Sequence, residues 1–215
     1  MADTFAYHYK QGIYLNITNR CTNNCIFCFK NFQKQKNPFA FLLLKKEPKL
    51  EGILGSIQLD YNTSPSIREI IFCGLGEPLL RLDEIVLPAA KIIKEEYRKN
   101  VRINTNGHAL ILYPGRNVAE ELKDAGVGAV SISLNAENSE KYNRLCRPKF
   151  NMQQRVYEKV KKFGKACKKI GLETEFTAVE IPRERISSGI IASIEKCRKI
   201  SIGLGIDFRK RDYIN

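Results

Sequence analysis

Cys21-Thr22-Asn23-Asn24-Cys25-Ile26-Phe27-Cys28 carries three thiols, with three residues between the first pair and two between the second. Residues 12–17 (GIYLNI), just upstream, have the β-branched and aromatic composition of a short buried strand. Turn-forming Thr and Asn residues follow, so the cysteines are expected on a loop leaving the carboxyl end of this strand. A loop can direct three sulfur atoms at one centre, whereas side chains of a strand alternate between faces.

Three thiolates on one loop indicate a site for a soft metal. A closed structural zinc site takes four protein ligands, and here the next cysteine is the distant Cys73. An iron–sulfur cluster normally takes four cysteines, so three would leave one iron open to a cofactor or substrate. The alternative is a zinc site completed by a distant residue.

Length and composition are those of an ordinary globular domain. The chain has 215 residues, 43% of them hydrophobic and 27% charged, and we expect one domain over 1–215. The most apolar run, residues 39–44 (FAFLLL), is too short to span a membrane, and the N-terminus lacks a signal-peptide layout. We therefore expect a cytoplasmic protein whose seven cysteines are reduced thiols or metal ligands.

The net charge of +13 has two interpretations. A basic surface can attract nucleic acid, a nucleotide or a phosphorylated metabolite. Lysine-rich helix faces such as that of residues 161–169 can equally serve solubility, which is the interpretation we favour, with nucleic acid as the alternative partner.

Strand-like and helix-like segments alternate along the whole chain, which is typical of a parallel sheet. Residues 1–10 are expected to be a strand or a cover for one barrel end, and residues 29–48 an irregular cap or partner-binding loop. The predicted strands are 12–17, 69–73, 101–107, 129–135, 174–181 and 205–213, and the predicted helices are 50–59, 83–99, 117–125, 151–169 and 187–200.

Strand 129–135 favours a partial barrel over a doubly wound open sheet. Ser131, Ser133 and Asn135 alternate with apolar residues, although a parallel strand is normally apolar on both faces. A polar face inside a covered sheet lines a ligand cavity, and ligands bind at the carboxyl ends of such strands. The prediction is an α/β partial TIM barrel with six strand–helix repeats, of which only the last helix is lacking.

Two more turns with ligand-binding character follow predicted strands. Gly74-Leu75-Gly76-Glu77-Pro78 provides glycines that let the backbone approach a ligand, and Asn104-Thr105-Asn106-Gly107 ends the next strand. Each alone could be an ordinary Gly/Pro or Asn-Gly turn.

The cysteine motif, with Phe27 in its aromatic position, resembles the signature of the radical S-adenosylmethionine (SAM) enzymes. The two turns and the polar strand resemble that family's further motifs in the same order, except that Leu75 stands where the family often has Gly. The resemblance implies a (β/α)6 radical SAM core in which Cys21, Cys25 and Cys28 hold a 4Fe–4S cluster. SAM bound to the open iron would be cleaved to a 5′-deoxyadenosyl radical that takes hydrogen from a substrate.

The resemblance also implies positions around SAM. Gly74, Gly76 and Glu77 would bind the methionyl amine, and Phe27 and Val179 would meet the adenine. The remaining implied SAM contacts are Asn104, Asn106, Ser133 and Asn135.

Residues 142–148 (YNRLCRP) follow the polar strand. We expect Arg144 or Arg147 to hold the SAM carboxylate or an anionic substrate, against the alternative of solvated loop arginines. Cys146 is a candidate hydrogen-atom donor, against the alternative of a buried packing residue. Cys73 is expected in the core.

Over nearly the whole chain the sequence is similar to the small TatD-family-associated radical SAM proteins. This similarity implies a TatD-like hydrolase as a partner, and family membership implies an electron donor such as flavodoxin or ferredoxin. An open barrel mouth favours a large substrate, a partner chain or a homodimer.

Two alternatives stay open. A 7-carboxy-7-deazaguanine synthase-like enzyme would have Asp-Thr after the third cysteine, where this chain has Phe29-Lys30. The other alternative, from a different class, is a non-catalytic zinc or iron–sulfur scaffold that docks a TatD-like hydrolase.

Overall fold

Seven strands form one sheet, ordered across it as they are along the chain. The computed structural model describes residues 3–28, 30, 39–63, 66–151, 153–186 and 189–213. β1 (Ala6–Tyr9) pairs antiparallel with β2 (Gly12–Asn16), and all later pairs are parallel. The later strands are β3 (Glu69–Cys73), β4 (Asn100–Thr105), β5 (Ala129–Ser133), β6 (Glu173–Glu180) and β7 (Asp207–Asp212).

Helices connect the parallel strands and cover the outer face of the sheet. The helix between β3 and β4 contains α2 (Leu87–Ile92), extended by π-helical turns over Leu82–Val86 and Ile93–Tyr97. The others are α1 (Leu50–Thr63), α3 (Ala109–Leu112), α4 (Val118–Asp124), α5 (Ser139–Cys146), α6 (Gln153–Lys169) and α7 (Ile194–Gly203). None of the helices in the described ranges is long and apolar enough to cross a bilayer.

The two faces of the sheet differ in polarity because strand side chains alternate. Outward residues such as Ile13 and Leu15 of β2 are fully buried in one core with Ile53 and Ile57 of α1. These α1 residues lie four positions apart, on one helix face. Apolar burial between helices and sheet therefore provides the main stabilisation.

The inward face of the sheet carries a ladder of ion pairs. Arg102 on β4 bonds to Glu69 at 2.9 Å and to Glu173 at 3.0 Å, and Arg209 on β7 bonds to Glu175 at 2.6 Å. The alternation in β5 predicted such a polar interior, and the structure confirms it. The ladder forms the floor beneath the carboxyl ends of the strands.

The partial barrel is confirmed, with six parallel strands. Residues 139–146 are a helix that the sequence interpretation left out, since only eight residues carry its apolar stripe. The predicted helix over 187–200 begins instead at Ile194, and residues 187 and 188 lie outside the described part. Asn135 lies beyond the end of β5, in a left-handed conformation (φ 57°) that Asn tolerates.

Both segments flanking β2 pack against the barrel. Of the two structures expected for the lead-in, the structure shows the strand: residues 6–9 form β1 at one edge of the sheet. Of the predicted cap, residues 29 and 31–38 lie outside the described part. Its remainder docks on the cysteine loop and β2, because Asn16 and Asn19 donate 2.7 Å hydrogen bonds to the carbonyls of Leu42 and Leu44.

Candidate functional site

A cavity of about 310 Å³ lies at the carboxyl ends of the parallel strands. It brings together predicted site residues from the cysteine loop and from the ends of β3, β4, β5 and β6. These are Cys21, Cys25, Phe27, Cys28, Gly74, Gly76, Glu77, Asn104, Asn106, Ser133, Asn135 and Val179. The sequence interpretation missed Asn23, Cys73, Leu75, Thr105, Arg211, Asp212 and Tyr213, which also line it.

The cysteine loop lies against the end of α5. The N–H of Asn24 donates to the carbonyl of Cys146 at 3.0 Å, and the N–H of Ile26 donates to that of Leu145 at 2.9 Å. The last carbonyls of a helix lack partners within the helix. The loop therefore satisfies the end of α5, and α5 holds the backbone on both sides of Cys25.

Gly76 lets the next loop approach the cysteine loop closely. A Cβ on Gly76 would lie 2.3 Å from the carbonyl oxygen of Thr18 and 2.4 Å from that of Arg20. The N–H of Glu77 donates to the same Arg20 carbonyl at 2.8 Å. Gly74 has φ of 97°, a backbone conformation that L side chains rarely adopt. Both glycines are therefore required by the backbone itself.

Glu77 joins the ends of β3 and β4. Its buried carboxylate accepts hydrogen bonds from the Thr105 hydroxyl at 2.6 Å, the Asn106 N–H at 2.7 Å and the Leu79 N–H at 3.1 Å. Burial raises the pKa of Glu77 to about 7, and the three hydrogen bonds oppose that rise. Both oxygens thus hold the protein scaffold together, and contact with the SAM amine stays a prediction.

The three loop cysteines line the cavity as partly buried thiols. Burial is the main cause that raises the pKa of Cys21 to about 11, and it also raises the pKa of Cys28. Metal binding would require loss of these protons. Among the described residues, no group of three or more Cys, His, Asp or Glu residues could hold one metal ion. In a 4Fe–4S cluster each thiolate binds a different iron, so its ligands stand further apart.

Among the described residues that line the cavity, three buried polar atoms have no hydrogen-bond partner: Asn23 Oδ1, Asn104 Oδ1 and Arg211 Nε. An unpaired buried polar atom costs roughly 1–3 kcal/mol. A bound ligand would satisfy these atoms by offering donors to the two amide oxygens and an acceptor to Arg211. The cavity is therefore built as a ligand site, and its thiols and polar atoms fit a cluster with an adjacent zwitterionic cofactor.

Of the described residues that line the cavity, Arg211 is the one with a positive charge. Its Nη2 donates to Ser133 Oγ at 3.2 Å and to Asn135 Oδ1 at 3.4 Å. Burial lowers the pKa of Arg211, opposed by the nearby thiols Cys73 and Cys25, and a guanidinium keeps its charge in proteins. The signal for Arg211 in the sequence is its inward position on the last strand, two residues after Arg209.

Arg144 and Arg147 do not line the cavity, contrary to expectation. Arg144 is half exposed on α5 and lies 3.6 Å from Glu140. Arg147 is exposed at the end of α5, in a left-handed conformation with φ of 47°. The reason is that residues 139–146 form a helix, not a loop facing the site.

The structure reverses the expected locations of the two other cysteines near the site, Cys146 and Cys73. Cys146 is fully buried beside Cys25, outside the cavity wall, so the structure gives it no direct contact with a bound substrate. Cys73, expected in the core, lines the cavity because it is the last inward residue of β3.

His108 lies in a buried hydrogen-bond network beneath the cysteine loop. Its Nδ1 is 2.8 Å from Thr22 Oγ1, and its Nε2 is 2.7 Å from the Tyr142 hydroxyl. Asn106 Nδ2 donates to the same Thr22 hydroxyl at 2.7 Å. Burial lowers the pKa of His108 to about 3, so the ring is neutral and joins the loop to β4 and α5.

This network predicts loss of stability in acid. Unfolded His108 takes up a proton near pH 6.5 but folded His108 does so only near 3, so its contribution is present above 6.5 and falls below it. Between pH 6.5 and 5 the loss is about 2 kcal/mol. The measurement is urea unfolding of the metal-free protein and its H108Q variant at pH 7 and 5. Wild type should lose more stability than H108Q.

The control for this prediction is H8Q, because His8 is exposed on β1. H8Q should keep the loss of stability in acid that H108Q lacks. Equal pH dependence of wild type and H108Q would contradict the prediction.

The fold is a partial TIM barrel, and cysteines line the cavity at the carboxyl ends of its strands. Together these features indicate the class of metal-cluster enzymes. The chain belongs to the radical SAM superfamily, whose model matches residues 15–187. Membership implies a 4Fe–4S cluster and SAM.

Curated relatives carry the name GTP 3′,8-cyclase. A probable GTP 3′,8-cyclase of Methanocaldococcus jannaschii is 32% identical over 152 residues, covering 71% of this chain and 45% of the relative. The GTP 3′,8-cyclase of Aliarcobacter butzleri is 28% identical over 191 residues, covering 86% and 50%. The chain thus spans about half the length of these relatives. Neither name mentions TatD, so that association stays a prediction.

Solved structures share the fold. Methylornithine synthase (PylB) matches with a TM-score of 0.62 at 14% identity, over 94% of this chain and 53% of that one. The hydrogenase maturase HydG of Carboxydothermus hydrogenoformans matches with a TM-score of 0.59 at 17% identity, over 95% and 44%. At such identities the likeness confirms the partial barrel alone.

Proposed function

We propose that this radical SAM protein holds one 4Fe–4S cluster on Cys21, Cys25 and Cys28 and binds SAM in the adjoining cavity. When bound, these groups supply a 5′-deoxyadenosyl radical, formed by reductive cleavage of SAM, that takes hydrogen from a substrate. The observation that carries the proposal is that the three thiols share one cavity with the unpaired Asn104 Oδ1 and Arg211 Nε.

The test is electron paramagnetic resonance (EPR) of anaerobically reconstituted, dithionite-reduced protein, with and without SAM. A reduced-cluster signal that changes shape with SAM, together with release of 5′-deoxyadenosine, supports the proposal. Zinc without a paramagnetic cluster would instead support the non-catalytic scaffold.

Arg211 is proposed as the anchor for the SAM carboxylate, in place of Arg144 and Arg147. A charged hydrogen bond contributes about 1.5–3 kcal/mol, so R211M should weaken SAM binding roughly 10-fold to 100-fold. Equilibrium dialysis of the reconstituted protein measures this. The matched control is K210M, since Lys210 lies on the other face of β7, outside the cavity and paired with Glu180 at 2.6 Å. Equal loss in both variants would contradict the assignment.

A purine nucleotide is the substrate class we propose to test first. Its support is the name of the relatives, together with a net charge of +13 that suits an anionic ligand. GTP should increase 5′-deoxyadenosine release by the reduced protein, and CTP, a pyrimidine nucleotide, is the matched control. No increase with either would count against a nucleotide and leave the 7-carboxy-7-deazaguanine synthase-like alternative for testing.

The partners stay proposals. They are a flavodoxin or ferredoxin as electron donor, a TatD-like hydrolase and a second copy of the chain. Sedimentation of the reconstituted protein, alone and with a TatD-like hydrolase, would test the last two.

A further inference from the structure

A series of side-chain contacts leads from the cavity to the cysteine loop. Its members, each in contact with the next, are Arg211, Asn135, Cys146 and Cys25. Arg211 Nη2 is 3.4 Å from Asn135 Oδ1, and Asn135 Nδ2 is 3.7 Å from Cys146 Sγ. The Cys146 and Cys25 thiols are in hydrogen-bond contact.

The donors and acceptors of these side chains set the direction of hydrogen bonding along the series. Arginine has only donors, so the amide oxygen of Asn135 must face Arg211 and its NH2 group must face Cys146. With its sulfur accepting from Asn135, Cys146 has its single S–H left to donate. The neighbour that it meets is the Cys25 sulfur, which is itself a thiol in the metal-free protein and would become an acceptor-only thiolate in the cluster, so this direction applies to the cluster-bound protein.

Backbone hydrogen bonds support the last contact of the series, that between Cys146 and Cys25. Hydrogen bonds from Asn24 to Cys146 and from Ile26 to Leu145 hold the loop on both sides of Cys25 against the end of α5. Asn135 is held by its own N–H, which donates to the Thr177 carbonyl at 3.1 Å. The backbones that carry the two thiols are therefore held next to each other.

We propose that Cys146 is a positioning residue whose S–H donates to the Cys25 thiolate and makes the cluster easier to reduce. Hydrogen bonds to ligand sulfurs are among the factors that set cluster potentials, because they stabilise the more negative, reduced form. Arg211 and Asn135 polarise this donor in the same sense. This inference rests on the proposed function, since it requires a cluster on Cys25.

The test is a potentiometric titration, followed by EPR, of the reconstituted protein without SAM. At the wild-type midpoint, C146A should lower the ratio of reduced to oxidised cluster about tenfold, or about 59 mV for one electron. C146S, which keeps a donor, should stay near the wild-type midpoint. The matched control is C197A, because Cys197 is a buried cysteine on α7 outside the cavity.

A structural role for Cys146 would change cluster content and leave the midpoint unmoved. An unchanged midpoint in C146A, or the same fall in C146S, would therefore overturn the inference. If C146A assembles no cluster, C146V, which fills more of the buried space and also lacks a donor, is titrated in its place, and an unchanged midpoint in C146V would overturn the inference. Absence of a cluster from wild type would instead remove the proposed function.

The double variant R211M/C146A tests whether Arg211 acts on the cluster through Asn135 and Cys146 or directly through its charge. If Arg211 acts through Cys146, R211M should lower the midpoint less in the C146A background than in wild type. If the midpoint shifts of the two single variants add fully in the double variant, Arg211 does not act through Cys146.

Discussion

C28A is expected to abolish the SAM-dependent EPR signal and to remove 5′-deoxyadenosine release. Cys28 is one of three loop thiols at the cavity, so its loss would leave a second iron of the proposed cluster without a protein ligand, besides the open iron. Removing an outer-shell partner of a metal site costs roughly 10-fold to 100-fold in affinity or activity, and the loss of a direct ligand should exceed that.

The measurements for C28A are iron and sulfide content after reconstitution, EPR with SAM, and 5′-deoxyadenosine by chromatography. The control is C197A, which removes a thiol of the core outside the cavity. Its iron content and product release should match those of wild type. A C28A protein with full iron content and activity would show that Cys28 is not a ligand.

The second large effect is expected from G76A. The added Cβ would lie 2.3 Å from the Thr18 carbonyl and 2.4 Å from the Arg20 carbonyl, and both are backbone atoms that cannot move aside as a side chain can. Overpacking typically costs 1–3 kcal/mol, and we expect about 3 kcal/mol here because the backbone must shift. Since that backbone leads into the cysteine loop, cluster assembly should fail as well.

G55A is the matched control for G76A. Gly55 lies within α1, and a Cβ there would meet no atom within 4 Å. Alanine should raise the free energy of unfolding by roughly 0.5–1 kcal/mol through helix propensity. Urea unfolding and iron content measure both variants. A G76A protein as stable as wild type would contradict the close approach of the two loops.

Periodicity made most of the fold predictable. The alternation of Ser131 and Ser133 with apolar neighbours predicted a sheet with a polar inner face, and the Arg102 ion pairs on that face confirm it. Helix α5 was missed, because eight residues with a short apolar stripe resemble a loop. That omission placed Arg144 and Arg147 at the site, where the structure does not have them.

The residues of the candidate site likewise fall into those that the sequence predicted and those that it did not. The three loop cysteines and the turns at Gly74 and Asn104 follow from local motifs, since spacing and turn chemistry are written in consecutive residues. Arg211 was missed and Cys146 was assigned a different role, because the roles of both depend on distances between strands and helices far apart in the chain. The sequence by itself determined the strand–helix repeat and the set of thiols. Only the tertiary structure decided which cation enters the cavity and which thiol stands behind Cys25, since the register of β7 and the docking of α5 are properties of the whole packed core.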